Sequence, residues 1–182
     1  MAPINTFDKN AGIETIAKQA LQIAQSQVGQ SEQPKGSNSG PMVDEYLKTV
    51  GLSPGFAWCQ AFVYWCYNEA AKKLHLPNPM VKTASVHECW DKSATITKLI
   101  RQNAQQRPGR IKPGDQFILF FGGNAGHTGI IERVERSAES GMGVLHTIEG
   151  NSNNTGGREG YEVVRHQRNL SDKTLQGFIQ YS

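Results

Sequence analysis

Apolar residues recur at helical spacing through the first half of the chain and gather into short, β-prone runs in the second. Over 12–28, Ile13, Ile16, Ala17, Ala20, Ile23, Ala24 and Val28 fall on one face of a helix, which predicts an amphipathic helix there. Residues 30–40 are rich in Gly, Ser, Asn and Pro and read as loop. Pro41 then stands where a first helical turn needs no N–H, so a short helix is expected over 41–50, closed by Gly51. Beyond the LSPGFA turn, Cys59, Phe62, Val63, Cys66 and Ala70 form one stripe over 58–74, the pattern of a central buried helix. Another helical stretch, bent or broken, is expected over 84–100.

Past the RPGRIKPGD turn the pattern changes. FILFF, HTGIIERV, GVLHTIEG, YEVVRHQ and LQGFIQY are separated by Gly, Ser and Asn and read as strands, and a turn is expected over 156–160. Helices first and antiparallel strands later define an α+β fold, with N-terminal helices packed on a C-terminal sheet. No repeat or low-complexity linker divides the 182 residues, and 37% hydrophobic content suffices for one core. The expected organisation is therefore one catalytic domain over 1–182, its core at about 30–182 and the helix at about 12–28 added to it.

Charge narrows the partners. The net charge is +3, with 19 basic residues scattered among 16 acidic ones, which argues against nucleic acid and suits approach to an anionic polymer. No stretch nears the roughly 18 apolar residues a membrane span needs. The segment MAPINTFDKNAGIETIAKQA lacks the basic start and apolar run of a secretory signal, so synthesis in the cytoplasm without a signal peptide is expected. Three cysteines in such a chain fit reduced thiols.

Cys59 begins its predicted helix, where unpaired N–H groups and the positive end of the helix dipole favour a thiolate. Seen alone, a free cysteine is more often a small buried hydrophobe. Cys66 lies two turns further on, roughly 10 Å along the axis, too far for a disulfide, and reads as core. The set Cys59, Cys66, His87 and Cys89 lacks the close CxxC or HxxxH pairs of a zinc cage, so no metal is expected. Among the histidines, His127 differs from His75, His87, His146 and His166 because GGNAGHTGII places it at a strand start after a glycine-rich turn. A hairpin centred near Ala138 would pair Ile131 with Leu145, Gly129 with Thr147 and His127 with Glu149. Glu149 would then accept from one ring nitrogen while the other faces Cys59. Asn151 would share that face if the strand stays extended. Trp58 is a candidate groove residue for substrate, and Trp65 reads as packing.

WCQAFVYW with Cys59, GHTGII with His127 and IEGNSN with Glu149 and Asn151, in this order and spacing, resemble the CHAP domain, the cysteine-histidine amidohydrolase/peptidase branch of the papain-like and NlpC/P60 superfamily. The resemblance extends over about 30–182. It implies a papain-like fold, peptidoglycan as the partner, Cys59 as nucleophile, His127 as general base and acid, and Glu149 as the orienting carboxylate. It leaves the role of Asn151 open. Ser53 stands where papain-type enzymes carry an oxyanion glutamine, so the backbone N–H of Cys59 is one donor and its partner is open. Some members bind calcium, but Asp44 and Glu45 lie in a predicted helix without a ligand loop, and no metal or cofactor is expected.

The resulting expectation is a monomeric peptidoglycan amidase or endopeptidase that reaches the periplasm or wall of a target cell by a non-classical route. Two routes fit: a phage endolysin, or an antibacterial effector whose producer carries an immunity protein. A peptidoglycan-binding module without activity and a cytoplasmic amidase acting on a small peptide conjugate are the alternatives.

Overall fold

The structure is a computed structural model that describes residues 9–136, 143–153 and 160–181, with side chains from Ile16 onward and excluding that of Arg136. The hairpin tip expected at Ala138 lies outside these residues, as does the turn over 156–160 apart from Gly160. Helices α1 (Lys9–Ser26), α2 (Pro41–Thr49), α3 (Cys59–Leu74) and α4 (Val86–Lys92) come first. They are followed by strand β1 (Lys98–Ile100), helix α5 (Arg101–Gln106), and strands β2 (Gln116–Gly122), β3 (Ala125–Arg136), β4 (Gly143–Ser152), β5 (Glu162–Asn169) and β6 (Leu175–Ile179). The six strands form one antiparallel sheet in the order β1-β6-β2-β3-β4-β5. The fold is α+β. Among the described residues, no helix is long and apolar enough to cross a membrane.

Period-two alternation gives the sheet two apolar faces. Ile118, Ile130, Ile148 and Ile179 pack with Ile16, Ala20 and Ala24 of α1, Val43 and Leu47 of α2, and Phe62, Val63 and Cys66 of α3. Their strand neighbours Phe117, Leu119, Ile131, Leu145 and Phe178 join Leu99, Ala104 and Leu170 in a second cluster. Helix α3 is buried through its first turns, from Cys59 to Tyr64, because α1, α2 and the sheet surround it. It stops where His75 adopts a left-handed conformation (φ 54°) and its N–H closes on the carbonyls of Ala71 and Lys72. Pro41 opens α2 as expected, and Asp44, in its first turn, ties the entering chain to the helix by accepting from the Gly40 N–H and the Ser39 hydroxyl.

The stretch 84–100 departs from the helix expected there. Ser85 caps α4 by accepting from the Glu88 N–H, but the helix ends after seven residues as Ser93 turns extended. A short 3-10 turn follows at Thr95–Thr97, and Lys98–Ile100 then pairs with β6, with Leu99 opposite Phe178. Backbone partners on the open edge of β6 outweigh the weak helical preference of a Ser- and Thr-containing segment. Helix α5 had no visible periodicity, since its six residues bury Ala104 alone.

The β3–β4 hairpin also departs from its expected register. Ile130 pairs with Ile148 and Ile131 with Thr147, two residues away from the predicted alignment. Beyond Ile131 the pairing shifts, so that Arg133 faces His146 and Val134 faces Leu145. Glu132 is the extra residue of this bulge, and its carboxylate accepts from Gln25 of α1 and Arg165 of β5. A displacement of two residues keeps every side chain on its face, whereas a displacement of one would have reversed them all.

Ile148 sits fully buried between the sheet and α3. Ile148→Ala is expected to cost about 2–5 kcal/mol, because the rigid helix cannot collapse into the cavity. A fall in the urea midpoint with an unchanged slope would register this loss.

Candidate active site

The site is assembled where the first turn of α3 meets the middle of the sheet. Gly150 on β4 is what allows the approach: a Cβ there would lie 2.7 Å from Trp58 Cζ3 and 2.7 Å from Phe62 Cγ. The residue after Cys59 is tied to the sheet from below. Gln116 of β2 donates through Nε2 to Gln60 Oε1 (2.8 Å) and Thr128 Oγ1 (2.9 Å), and the Thr128 hydroxyl donates to the Phe117 carbonyl. These buried bonds fix α3 against β2 and β3 at the helix end that carries Cys59.

On the sheet, His127 Nε2 lies 2.8 Å from Glu149 Oε2. Because of the two-residue displacement, Gly129 rather than His127 stands beside Glu149, and the carboxylate crosses the space that a side chain at 129 would fill. A Cβ at Gly129 would come within 2.6 Å of the Ile148 carbonyl oxygen, 2.8 Å of Phe117 Cε1 and 2.9 Å of Glu149 Cγ. Glu149 has no solvent exposure and is surrounded by donors. Arg168 of β5 gives Nε to Oε1 and Nη2 to Oε2, both at 2.6 Å, and the Thr147 hydroxyl donates to Oε1 at 2.6 Å. The Ser152 hydroxyl adds a longer bond of 3.4 Å to Oε2.

Burial alone would lower the pKa of His127, but hydrogen bonds and charge from Cys59 and Glu149 outweigh it and raise it to about 9. Burial acts on Glu149 in the opposite sense and is overridden by His127 and Arg168, which hold its carboxyl well below the ordinary range. The raised pKa favours a protonated ring that donates Nε2–H to the Glu149 carboxylate, with the Cys59 thiol as its other hydrogen-bond partner. A thiol beside a charged imidazole, at a helix N-terminus and 7% exposed, is chemically equipped for nucleophilic attack on a carbonyl.

Cys59, His127 and Glu149 are thus brought together. Asn151 lines the same cleft as His127 and Arg168, but its backbone is left-handed (φ 53°), so the extended geometry expected there is broken. Oriented by its hydrogen bonding, its amide oxygen accepts from the Trp58 backbone N–H (3.1 Å) and its nitrogen donates to the Gly160 carbonyl (2.8 Å). Trp58 is not a groove residue: it is fully buried, and its indole Nε1 donates to Glu32 Oε1 at 2.9 Å. The indole immediately before Cys59 serves packing against Tyr46 and Phe62 instead. Trp65 packs partly buried, edge-on to Tyr46. Cys59, Cys66 and Cys89 are free thiols, and among the described residues no group of three or more His, Cys, Asp or Glu is placed to hold a metal ion.

Sequence reasoning missed Arg168, Thr147 and Glu32. Arg168 and His166 alternate along β5 and line, with His127, Asn151, Ser152 and Phe121, a cleft of about 720 Å³. The alternation was legible in VVRHQR, but its pairing with Glu149 depends on a strand order the sequence does not state. Glu32 lies in the loop before α2, with nothing local to distinguish it from a solvated carboxylate.

The CHAP domain family matches residues 51–151, more than half of the chain, and the chain belongs to that family. At family level it is a cysteine/histidine amidohydrolase or peptidase. The matched segment includes Cys59, His127, Glu149 and Asn151 and is shorter than the 30–182 expected from the motifs. No curated protein and no solved structure shows significant similarity to the chain.

Gly129→Ala is expected to push Glu149 away from His127, destabilise the fold by about 1–3 kcal/mol and bring the ring titration back toward its ordinary value. NMR titration of the His127 ring protons measures this. A second expectation concerns pH. The His127 pKa is raised from 6.5 to about 9 on folding, so the stability it contributes is whole below 6.5 and lost as pH climbs through 9. The depressed Glu149 loses its share only in acid. Across the window from pH 6.5 to 9, the stability advantage of the wild type over His127→Ala should therefore shrink, as read from urea unfolding at a series of pH values.

Proposed function

We propose that this protein hydrolyses an amide bond in the peptide portion of peptidoglycan, with Cys59 as nucleophile, His127 as general acid and base, and Glu149 as the carboxylate that orients the ring. The observation that carries this reading is the placement of one imidazole between the Cys59 thiol and the buried Glu149 carboxylate. The Cys59 sulfur attacks the carbonyl carbon and His127 gives its proton to the departing amine as the C–N bond breaks. Water, deprotonated by the neutral imidazole, then cleaves the thioester to yield a carboxylic acid and the free thiol. The Cys59 backbone N–H is the proposed oxyanion donor, and Asn151, by holding the preceding Trp58 N–H, positions that first turn.

The bond is either the amide between the lactyl group and the first alanine of the stem, or a peptide bond within the stem or cross-bridge. CHAP membership supports this substrate class. The protein acts in this reading in the periplasm or wall of a target cell, delivered as a phage endolysin or as an antibacterial effector paired with an immunity protein.

Incubation with purified sacculi and separation of the released fragments tests the reading and identifies the bond. Wild type should release soluble fragments. Cys59→Ala and His127→Ala should each lose at least about 1000-fold in rate, because members of one catalytic unit fail together. Cys66→Ala should remain active. Binding of sacculi without release of fragments by the wild type would make the chain a binding module. Expression supplies the second test: a periplasmic export fusion should lyse a Gram-negative host, while the same chain kept in the cytoplasm, and the Cys59→Ala fusion, should be harmless. Cysteine-dependent killing from the cytoplasm would overturn the wall substrate in favour of an intracellular amide.

A further inference from the structure

Glu149 and His127 share one proton between a fully buried carboxylate and a nearly buried imidazole, and such a pair has two arrangements. The proton can stay on the ring as an ion pair, or it can cross to give neutral acid and neutral imidazole. Burial favours the neutral arrangement because it removes both charges from a poorly solvated site. The second arrangement would leave no positive charge beside Cys59. What decides between them is any further charge on the carboxylate.

Helix α3 and strands β2 to β5 pack their side chains around Glu149 and His127. β3 presents His127, and α3 brings Cys59 to the far side of that ring. β4 itself offers the neutral hydroxyls of Thr147 and Ser152. β2 presents Phe117, which carries no charge. β5 presents His166 at the cleft and Arg168, whose two nitrogens each meet one carboxylate oxygen at 2.6 Å. The guanidinium lies over the Phe117 ring, 5.4 Å from its centre, and its side chain is 19% exposed. It is a permanent cation in a two-pronged geometry on an anion without solvent, the arrangement in which such a contact has its greatest electrostatic effect.

We propose that Arg168 is a positioning residue that keeps the shared proton on His127, and so maintains an imidazolium beside Cys59. Its fork saturates the carboxylate oxygens and its charge lowers their affinity for the proton, so the proton has no stable place on Glu149. Arg168 touches no reacting atom in this role. The inference rests on the reading of Cys59 and His127 as the reactive pair, but not on the identity of the substrate.

The test accordingly needs no substrate. The rate of alkylation of Cys59 by iodoacetamide is followed against pH, together with the NMR titration of the His127 ring, in wild type, Arg168→Met and Arg168→Lys. Folding is checked by circular dichroism and thermal unfolding. Cys66 and Cys89 have no exposure and should not react in the folded protein. In Arg168→Met the ring titration should fall by about one unit or more, and alkylation at pH near 6 should slow at least ~10-fold, recovering only as an ordinary thiol ionises near ~8.5. Arg168→Lys, which keeps the charge but not the fork, should retain most of the wild-type ring titration. If Arg168→Met does not fold, Arg168→Gln, which can still donate one hydrogen bond but carries no charge, is measured in its place with the same expectation. Unchanged ring titration and an unchanged alkylation profile in a folded neutral variant would overturn the proposal. Shifts as expected in a chain without wall activity would sink the substrate and leave the role of Arg168 standing.

Discussion

A carboxylate with no solvent exposure is the constraint around which this site is organised. Removing an ionised side chain from water costs several kcal/mol even after relaxation, and the cost is offset only when charge and hydrogen bonds replace the lost hydration. Glu149 receives that replacement from three strands at once: His127 on β3, Thr147 on its own strand and Arg168 on β5. The same bonds that compensate the anion also tie the three strands together and orient the imidazole. Fold and chemistry therefore depend on a single interaction, and neither can be loosened without the other.

The helical half of the chain was legible where one stripe was long enough to dominate. The spacing of Phe62, Val63, Cys66 and Ala70 marks α3 and places Cys59 at its start, and the structure keeps that helix over Cys59–Leu74. Short elements were not legible. β1 is three residues whose conformation is decided by the edge of β6, and α5 buries too little to leave a period. In the second half the strands were visible as apolar runs, but their alignment was drawn from symmetry about the loop, which takes no account of a bulge. His127 and Glu149 nonetheless meet, since the displacement is even and the glycine at 129 leaves room for the carboxylate. Trp58 shows the converse limit: an aromatic next to a candidate nucleophile suggests a groove, and only the position of Glu32, far away in sequence, reveals that the indole is turned inward.

The family match ends at residue 151, yet the environment of the site does not. Arg168, which grips Glu149, and Glu32, which grips Trp58, lie on either side of the matched segment. The segment before α2 also runs beside β5, with the Gly29 N–H donating to the Val163 carbonyl and the Glu32 N–H to that of Tyr161. Residues with chemical roles readable from motifs are thus held by partners that carry no motif. A buried charge requires some partner but does not dictate where along the chain that partner stands.

The bulge at Glu132 separates the hairpin into two registers that are set independently. On the site side, Ile130 and Ile148 are fixed by the core against α3; on the far side, Arg133 and His146 begin a different alignment. The spare residue is pinned outward to α1 and β5 rather than left free to migrate. An insertion or deletion at the distal end of the hairpin can therefore be absorbed without passing its shift down the ladder to His127. The bulge thus decouples the alignment beyond Arg133 from the ladder that carries His127 and Glu149, so the reactive pair keeps its position whichever register the far end takes.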